Sequence, residues 1–242
     1  MTGSAVQRRF LIGLDRRLEA AATIKTREWW TAYLKGEAVF RGAKMADVRR
    51  AVAELVDELD LCDQPIDTLI DLAHAALAQP ATEDKLGGTL LLAEHALDRL
   101  TTTHVHALAA PLASGHLADW NSCDWYCVKL VGPFVATRAT KTRARRIARW
   151  VESPEGWQRR AGAVAFVDLA PLGDAVFPGF VDLLLRIAEV NAGDPTRWSQ
   201  TSVGWLMREL SHAEPERVRA FVDEHPDLAA EARRAATAKL AR

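Results

Sequence analysis

The feature that most restricts the fold is a helical periodicity of apolar residues that persists along almost the whole sequence. Apolar side chains recur at spacings of three and four residues, and no segment alternates for long enough to predict a strand. Short Pro, Gly and Asp breaks divide the pattern into helices that recur as antiparallel pairs, at intervals of roughly 35–45 residues. The sequence therefore predicts an all-α fold, an α-solenoid of HEAT-like helical repeats, with a compact helical bundle as the alternative.

The predicted helices cover most of the chain, and a single domain over residues 1–242 is expected. The main amphipathic segments lie at 6–22, 46–59, 66–78, 82–100, 104–114, 120–136, 140–151, 174–192, 195–211, 214–224 and 227–240. Another segment carries Trp29 and Trp30, of which one is expected to face the core and the other a neighbouring helix. The stacked pairs of a solenoid leave a concave surface, which the helices carrying Trp120, Arg160 and Trp205 are expected to share.

Composition limits the classes of function. The chain has 242 residues, of which 49% are hydrophobic and 26% are charged, which is typical of a globular protein. No apolar run approaches the ~20 residues that cross a bilayer, so no membrane partner is expected. Cys62, Cys123 and Cys127 are too few for a disulfide framework, which favours a reducing cytoplasm.

A metal site is considered because Cys123 and Cys127 are four residues apart and His116 lies upstream. Structural zinc sites usually show paired CxxC-type spacing, and no third or fourth ligand at a suitable spacing is evident. Two small thiols buried on the core face of a helix are therefore the preferred interpretation. Neither a metal nor a cofactor is predicted.

The charge distribution is lopsided, although the net charge is only −1. The window 136–160 has a net charge of +6, which leaves −7 for the rest of the chain. The basic residues of this window are Arg138, Lys141, Arg143, Arg145, Arg146, Arg149, Arg159 and Arg160. Because a solvated helix face usually mixes both signs, a basic stripe on an acidic body predicts a polyanionic partner such as nucleic acid.

The segment with the clearest chemical potential is DWNSCDWYCVK at 119–129, which concentrates aromatic residues and carboxylates. Asp119 is a predicted N-cap, which places Trp120 in the first turn of a helix and Asp124 one turn later on the same face. A carboxylate beside an indole, near the positive end of a helix, suits a cation or a transition state that becomes cationic. The alternative is a helix whose Trp packs inward and whose Asp caps a neighbour.

Four segments in the same order carry a resemblance to a known family. They are YLK and VFRG at 33–42, WNSCD at 120–124, WQRRA at 157–161 and VGWLMRE at 203–209. These segments are similar to the Y-M-K … F-L-G, W-x-x-x-D, W-x-x-R-A-A and I-G-W-x-L-R-E segments of the AlkD-like DNA alkylation repair proteins. The chain therefore resembles these bacterial glycosylases, which are built from HEAT-like repeats.

The resemblance implies a C-shaped superhelix with duplex DNA in a basic concave face, and excision of cationic N3- and N7-alkylated purines. It implies that Asp124 is the catalytic carboxylate, and that Trp120 and Trp205 are aromatic walls against the deoxyribose of the lesion. It also implies DNA contacts, with Arg160 or Arg159 on a phosphate and Tyr33 near the lesion. The basic stripe adds Arg143, Arg146 and Arg149 as predicted DNA contacts.

The sequence departs from the family pattern at three places. Lys44, taken as a DNA contact, stands where the family often has Gln, and Thr201 replaces a basic residue. The second Trp beside the active-site Trp has no counterpart, since Asp119 and Asn121 flank Trp120. These departures leave the adduct preference and some phosphate contacts open.

The implied chemistry needs few groups, because a cationic purine leaves without protonation. One carboxylate stabilises the oxocarbenium-like state and orients water. Each indole face adds ~1–2 kcal/mol where water is excluded. No lysine nucleophile is evident beside the motif, so a monofunctional glycosylase is predicted.

Two other functions remain open at the level of sequence. One is a non-catalytic DNA-damage or DNA-structure binding protein on the same scaffold, which the presence of Asp124 disfavours. The other is a protein-binding scaffold, which the +6 window disfavours. The expected partner is double-stranded DNA that contains alkylated purines, and the expected setting is a monomer in the bacterial cytoplasm, associated with the nucleoid.

Overall fold

The structure is a computed structural model that describes residues 5–138 and 140–240. Helices cover 75% of the chain, and the described residues contain no strand, so the all-α helical repeat solenoid is confirmed. The predicted C-shape, the basic concave face and the single domain remain predictions. A helix with the length and apolar character needed to span a bilayer is not found in the described parts of the chain.

The α-helices alternate with short irregular segments. They are α1 (Ala5–Ala21), α2 (Ile24–Tyr33), α3 (Met45–Glu58), α4 (Ile66–Leu77), α5 (Thr82–His95), α6 (Val105–Ala113), α7 (Trp120–Tyr126), α8 (Gly132–Thr137), α9 (Thr140–Ala148), α10 (Gly156–Val164), α11 (Phe180–Ala192), α12 (Arg197–Leu210), α13 (Pro215–Glu224) and α14 (Ala230–Thr237). A π-helical segment, Cys127–Val131, joins α7 to α8. Short 3₁₀ segments lie at Leu61–Asp63, Leu97–Arg99, Thr102–His104, Arg149–Glu152 and Ala170–Ala175.

The first of two compact units comprises the described residues up to Thr101 together with Ser114–Leu130. Its central helix is α5, which packs against α3, α4 and α7, while α1 packs against α3. Phe10 and Leu14 of α1, with Leu55 of α3, are completely buried at the centre. The predicted antiparallel pairing of the segments at 66–78 and 82–100 is thus present as the contact between α4 and α5.

The second unit comprises Thr102–Ala113 and the described residues from Val131 onward. Its central helix is α12, which packs against α10, α11 and α14. Gly204 allows the close approach of α14, because a Cβ atom at this position would lie 2.7 Å from the carbonyl oxygen of Ala232. This contact fixes the position of α12, and with it the neighbouring Trp205.

One predicted helix starts in the wrong place. The segment predicted at 174–192 begins only at Phe180, because Gly179 adopts a left-handed conformation with φ of +83°. Asp174 lies before this break, where its carboxylate accepts hydrogen bonds from the N–H groups of Gly179 at 3.1 Å and Val181 at 2.8 Å. Asp174 therefore caps α11 from outside the helix instead of beginning it.

Candidate functional site

Helix α7 begins as the sequence predicts, with Asp119 at the N-cap. Asp119 has extended backbone angles, φ −136° and ψ 154°, and its carboxylate accepts the N–H of Ser122 at 2.8 Å. The second carboxylate oxygen accepts the hydroxyl of Ser122 at 2.5 Å. This cap fixes Trp120 as the first residue of the helix and Asp124 one turn later.

The two predicted site residues of α7 lie on its partly exposed side. The buried residues of the helix are Asn121, Ser122, Cys123 and Tyr126. Trp120 and Asp124 are both half-buried. The indole and the carboxylate, four residues apart, therefore lie on one helix face and are both partly accessible.

Shortly after Asp124, the α-helical hydrogen-bond pattern of α7 changes to the wider π-helical pattern. Cys127–Val131 form a π-helical segment, and helical structure then continues to Thr137, as the prediction of a helix over 120–136 requires. Segments of π-helix are rare and occur frequently at functional sites. Within this turn the ammonium group of Lys129 lies 5.3 Å from the ring centroid of Trp125, a cation–π contact.

Helix α2 brings a second aromatic group to the site. The ring of Tyr33 meets the ring of Trp120 edge-on, with centroids 5.9 Å apart. Tyr33 also stacks on Trp29, at 5.3 Å and an interplanar angle of 6°. Tyr33 therefore lies against the start of α7, the helix that carries Trp120 and Asp124. Lys44, another predicted DNA contact of this unit, is exposed at the start of α3.

Helix α2 buries none of its own residues, so a neighbouring loop holds it in place. The side chain of Glu83 is buried and accepts the N–H groups of Arg41 at 2.9 Å, Gly42 at 2.7 Å and Ala43 at 3.1 Å. Gly42 in turn accepts the N–H of Thr23, directly before α2, at 2.9 Å. This loop therefore connects α2 to the central helix α5.

Gly42 has to be glycine in this arrangement. Its φ is +104°, and a Cβ atom would lie 2.3 Å from the carbonyl oxygen of Thr23. On the other side of the loop, Phe40 stacks on Trp30 with centroids 5.6 Å apart. The family-like segment VFRG is thus a structural anchor for the aromatic helix.

Lys85 stabilises the loop that leads into α7. It is half-buried on α5 and donates a hydrogen bond to the carbonyl oxygen of His116. Burial lowers the pKa of the Lys85 ammonium group, whereas the carboxylate of Asp119 raises it. Lys85 therefore anchors the loop that leads to the capped start of α7.

In the second unit, Arg160 is directed into the protein. It is 5% exposed, and its Nη1 donates to the carbonyl oxygen of Trp198 and to the hydroxyl of Thr201, each at 2.9 Å. Thr201 is the position where the related family has a basic residue. Its hydroxyl here holds the arginine that the resemblance assigns to a phosphate.

Arg159 is held by an ion pair. Its guanidinium Nε donates to Asp194 Oδ2 at 2.7 Å, and Nη1 donates to the carbonyl oxygens of Ser153 and Pro154 at 2.9 and 2.7 Å. Burial raises the pKa of Asp194, but hydrogen bonds from Thr196, Ser199 and Arg159 outweigh it and lower this pKa to about 2. The structure thus assigns Arg159 an internal role, and its predicted phosphate contact remains a prediction.

The predicted contacts of the basic stripe divide into two kinds. Arg143 is 4% exposed and donates to the carbonyl oxygen of Phe134 at 2.6 Å and to the hydroxyl of Thr137 at 2.7 Å. Arg146 and Arg149 are exposed and line a polar cleft of about 620 Å³. Of these three arginines, only Arg146 and Arg149 present a guanidinium group at the surface.

Trp205, the remaining predicted wall, is half-buried on α12. The guanidinium of Arg208 lies 5.9 Å from its ring centroid and donates to Glu209 at 2.8 Å. Glu209 also accepts the ammonium group of Lys239 at 2.8 Å. Glu209 therefore links Arg208, beside Trp205, to the C-terminal Lys239.

The sequence interpretation missed two features of the site. Trp29 was expected in the core or against a helix, but it is 58% exposed. Its spacing of four residues from Tyr33 is a signal for the stacked pair, since such residues share a helix face. Glu83 has no comparable signal, because its burial and its three N–H partners depend on tertiary structure.

Two of the three cysteines are buried beside the candidate site. Cys123 and Cys127 are both free and buried. Over residues 5–138 and 140–240, no group of three or more His, Cys, Asp or Glu side chains is arranged to hold a metal ion.

The fold and site together define an all-α helical-repeat protein with an accessible indole and carboxylate on one helix. A family model described as DNA alkylation repair enzyme matches residues 14–240. The chain belongs to this family of DNA alkylation repair enzymes, and its partner is therefore DNA.

One solved structure supports the fold. It is described as a predicted DNA alkylation repair enzyme from Enterococcus faecalis, and it matches with a TM-score of 0.76 and 21% sequence identity. The match covers 91% of this chain and 97% of that chain. Among curated proteins, none matches. At this level of identity, the likeness shows the fold alone.

Proposed function

We propose that the protein is a DNA glycosylase that hydrolyses the N-glycosidic bond of cationic N3- or N7-alkylated purines in duplex DNA. The observation that carries the proposal is the half-buried pair of Trp120 and Asp124, one turn apart on a capped helix. Membership in a family of DNA alkylation repair enzymes supports the substrate. The proposal includes a monomer that works on the nucleoid in the bacterial cytoplasm.

Asp124 supplies the type of side chain that the reaction requires. As the bond between C1′ and the purine nitrogen breaks, the bonding electrons neutralise the cationic base, and positive charge develops on the deoxyribose. A preorganised carboxylate stabilises that charge and orients the water whose oxygen forms the new bond to C1′. The proton of this water passes to Asp124 or to solvent. A neutral lesion, which needs protonation before it leaves, is expected to be a poor substrate.

The aromatic rings complement the carboxylate. The faces of Trp and Tyr attract cations, and Tyr33 and Trp120 bring two such rings into contact at the start of the helix that carries Asp124. The partial burial of Trp120 and Asp124 limits the access of water, which strengthens the attraction. The role of Trp205 as a second aromatic wall remains a prediction from the resemblance.

A hydrolytic rather than a Schiff-base mechanism fits the lysines near α7. Lys85 donates to a backbone carbonyl before the helix, and Lys129 lies over Trp125. Both ammonium groups thus have partners that hold them in structural positions. Water is then the nucleophile, and the product is an intact abasic strand.

The reaction products test this proposal. With a duplex that carries one 7-methylguanine, the protein is expected to release the free base and to leave a strand that breaks only after alkali. Strand cleavage by the protein alone, with a borohydride-trapped covalent complex, contradicts the monofunctional mechanism. Tight binding to the lesion without release of any base, also from a duplex with 3-methyladenine, contradicts the glycosylase and favours a damage-binding protein.

A further inference from the structure

The segment that continues α7 beyond Asp124 carries one cation, Lys129. Lys129 is exposed, and it is the only basic residue of the segment 120–130. In an uninterrupted α-helix, side chains five residues apart point about 140° away from each other around the helix axis. The π-helical segment Cys127–Val131 rotates less per residue, so it turns Lys129 back toward the side that carries Asp124.

Trp125 holds this cation in place. It directly follows Asp124 and is half-buried, and the ammonium group of Lys129 lies 5.3 Å from its ring centroid. A ring face attracts the charge without accepting a conventional hydrogen bond. Because an ammonium group has three N–H donors, a ligand with acceptor oxygens can bind Lys129 while it stays on the ring.

The chemistry of DNA places a phosphate next to any group that acts on the sugar. The proposed reaction brings Asp124 to C1′ of the deoxyribose, and the two flanking phosphates are bonded to O3′ and O5′ of that same sugar. Both phosphates repel a carboxylate in this position, whereas a cation in the next turn of the helix attracts the phosphate that it faces. Lys129 therefore has the charge and the position to offset the repulsion between Asp124 and the DNA backbone.

We infer that Lys129 binds a phosphate that flanks the alkylated nucleotide. The inference rests on the proposed glycosylase function and adds a DNA-binding residue to it. The charge of a phosphate is the same before and during cleavage of the glycosidic bond, so this contact stabilises both states equally. Its removal is thus expected to weaken binding and to leave the rate at saturation nearly unchanged.

The first test separates binding from chemistry in a duplex with one 7-methylguanine. Lys129→Gln is expected to raise the protein concentration at the half-maximal single-turnover rate about tenfold, and to keep the rate at saturation within about twofold of wild type. The slope of log K against log salt is expected to fall by about 0.9, as for one lost phosphate contact. Lys129→Arg, which keeps the charge, is expected to retain most of the affinity. An unchanged affinity of Lys129→Gln, with or without a loss of rate, overturns the inference.

The second test identifies the phosphate. A fluorine at C2′ of the alkylated nucleotide withdraws electrons from C1′ and prevents release of the base, so that binding is measured at equilibrium. One flanking phosphate at a time is then replaced by an uncharged methylphosphonate. Wild-type protein is expected to lose about tenfold in affinity with one of the two neutral linkages, whereas Lys129→Gln is expected to lose less than about twofold with either, because its contact is already absent.

Arg9→Gln is the matched control. It removes one exposed positive charge from α1 in the same unit, and it is expected to respond to the neutral linkages as wild type does. Because Lys129 is exposed, Lys129→Gln is expected to fold, and its melting temperature verifies this. If Lys129→Gln stays as sensitive as wild type to both linkages, Lys129 does not bind a flanking phosphate and the inference is overturned. Failure of wild-type protein to release the base from the unfluorinated duplex instead overturns the proposed function, since the binding measurements do not depend on release.

Discussion

Helices α2 and α10 both depart from the usual rule that apolar side chains are buried and charged ones exposed, but they do so in opposite ways. Helix α2 exposes Trp29 and buries none of its residues, whereas α10 buries Arg160. An exposed indole gains free energy when a ligand covers it, but a buried guanidinium needs partners that replace its lost hydration. The exposed ring is thus accessible to a ligand, whereas the buried cation is held by partners inside the protein.

The same contrast divides the basic stripe. Arg143 and Arg160 are buried, and Arg159 is paired with Asp194. The exposed basic residues are Arg138, Lys141, Arg145, Arg146 and Arg149. The net charge of the window therefore overstates the number of cations that can meet phosphates, and the exposed group is expected to carry the electrostatic part of DNA binding.

The largest expected effect comes from removing the partner of a held arginine. Asp194→Ala leaves Arg159 without its carboxylate, and we expect a loss of about 3 kcal/mol in the free energy of unfolding. Asp182→Ala is the matched control, because it breaks an exposed pair with Arg217 at 2.7 Å and is expected to lose less than about 1 kcal/mol. Urea denaturation measures both, and equal losses contradict the distinction between held and exposed arginines.

Acid is expected to weaken the same pair. The pKa of Asp194 is about 2, against an ordinary value of 3.8, so the unfolded chain binds the proton more readily. The contribution is fully present above about pH 4 and is lost as the pH falls toward 2, and it amounts to on the order of 2 kcal/mol. Denaturation of wild type and Asp194→Asn at pH 5 and pH 3 tests this, since identical pH dependence of the two proteins contradicts the assignment.

A smaller effect distinguishes arginines within the basic stripe. Arg149→Gln is expected to lower the slope of log K against log salt for DNA binding by about 1, with little change in stability. Arg143→Gln is expected to leave this slope unchanged and to destabilise the fold by about 1–3 kcal/mol, since its buried partners lose their donor. The opposite pattern would show that the buried guanidinium, and not the exposed one, contacts phosphates.

Much of the fold is predictable because local patterns determine it. The periodicity gave the helical repeats, and the Asp119 cap, its hydrogen bond to Ser122 and the helix through Thr137 follow from local sequence. The burial of Arg143 and the exposure of Trp29 are not predictable in this way. Both depend on what other helices cover, and a helix propensity or a charge count contains no information on that.

The start of α11 is a second feature that the local sequence pattern did not predict correctly. Asp174 is a good capping residue, and it does cap α11, but across the break at Gly179. The sequence pattern placed Asp174 inside the helix, whereas it lies before the break. Asp124 is the converse case, since its place on α7 is confirmed while its chemistry remains to be measured.

The most direct measurement is the single-turnover rate of 7-methylguanine release at saturating protein, for wild type, Asp124→Asn and Asp119→Asn. Saturation separates the chemical step from DNA binding, which is measured alongside. Asp124→Asn is expected to bind DNA like wild type and to lose about a hundredfold or more in rate. Asp119→Asn removes a carboxylate from the same helix, but Asn caps about as well as Asp, so its rate is expected to stay within about threefold of wild type. If Asp124→Asn keeps the wild-type rate, Asp124 is not the catalytic carboxylate and the account is contradicted.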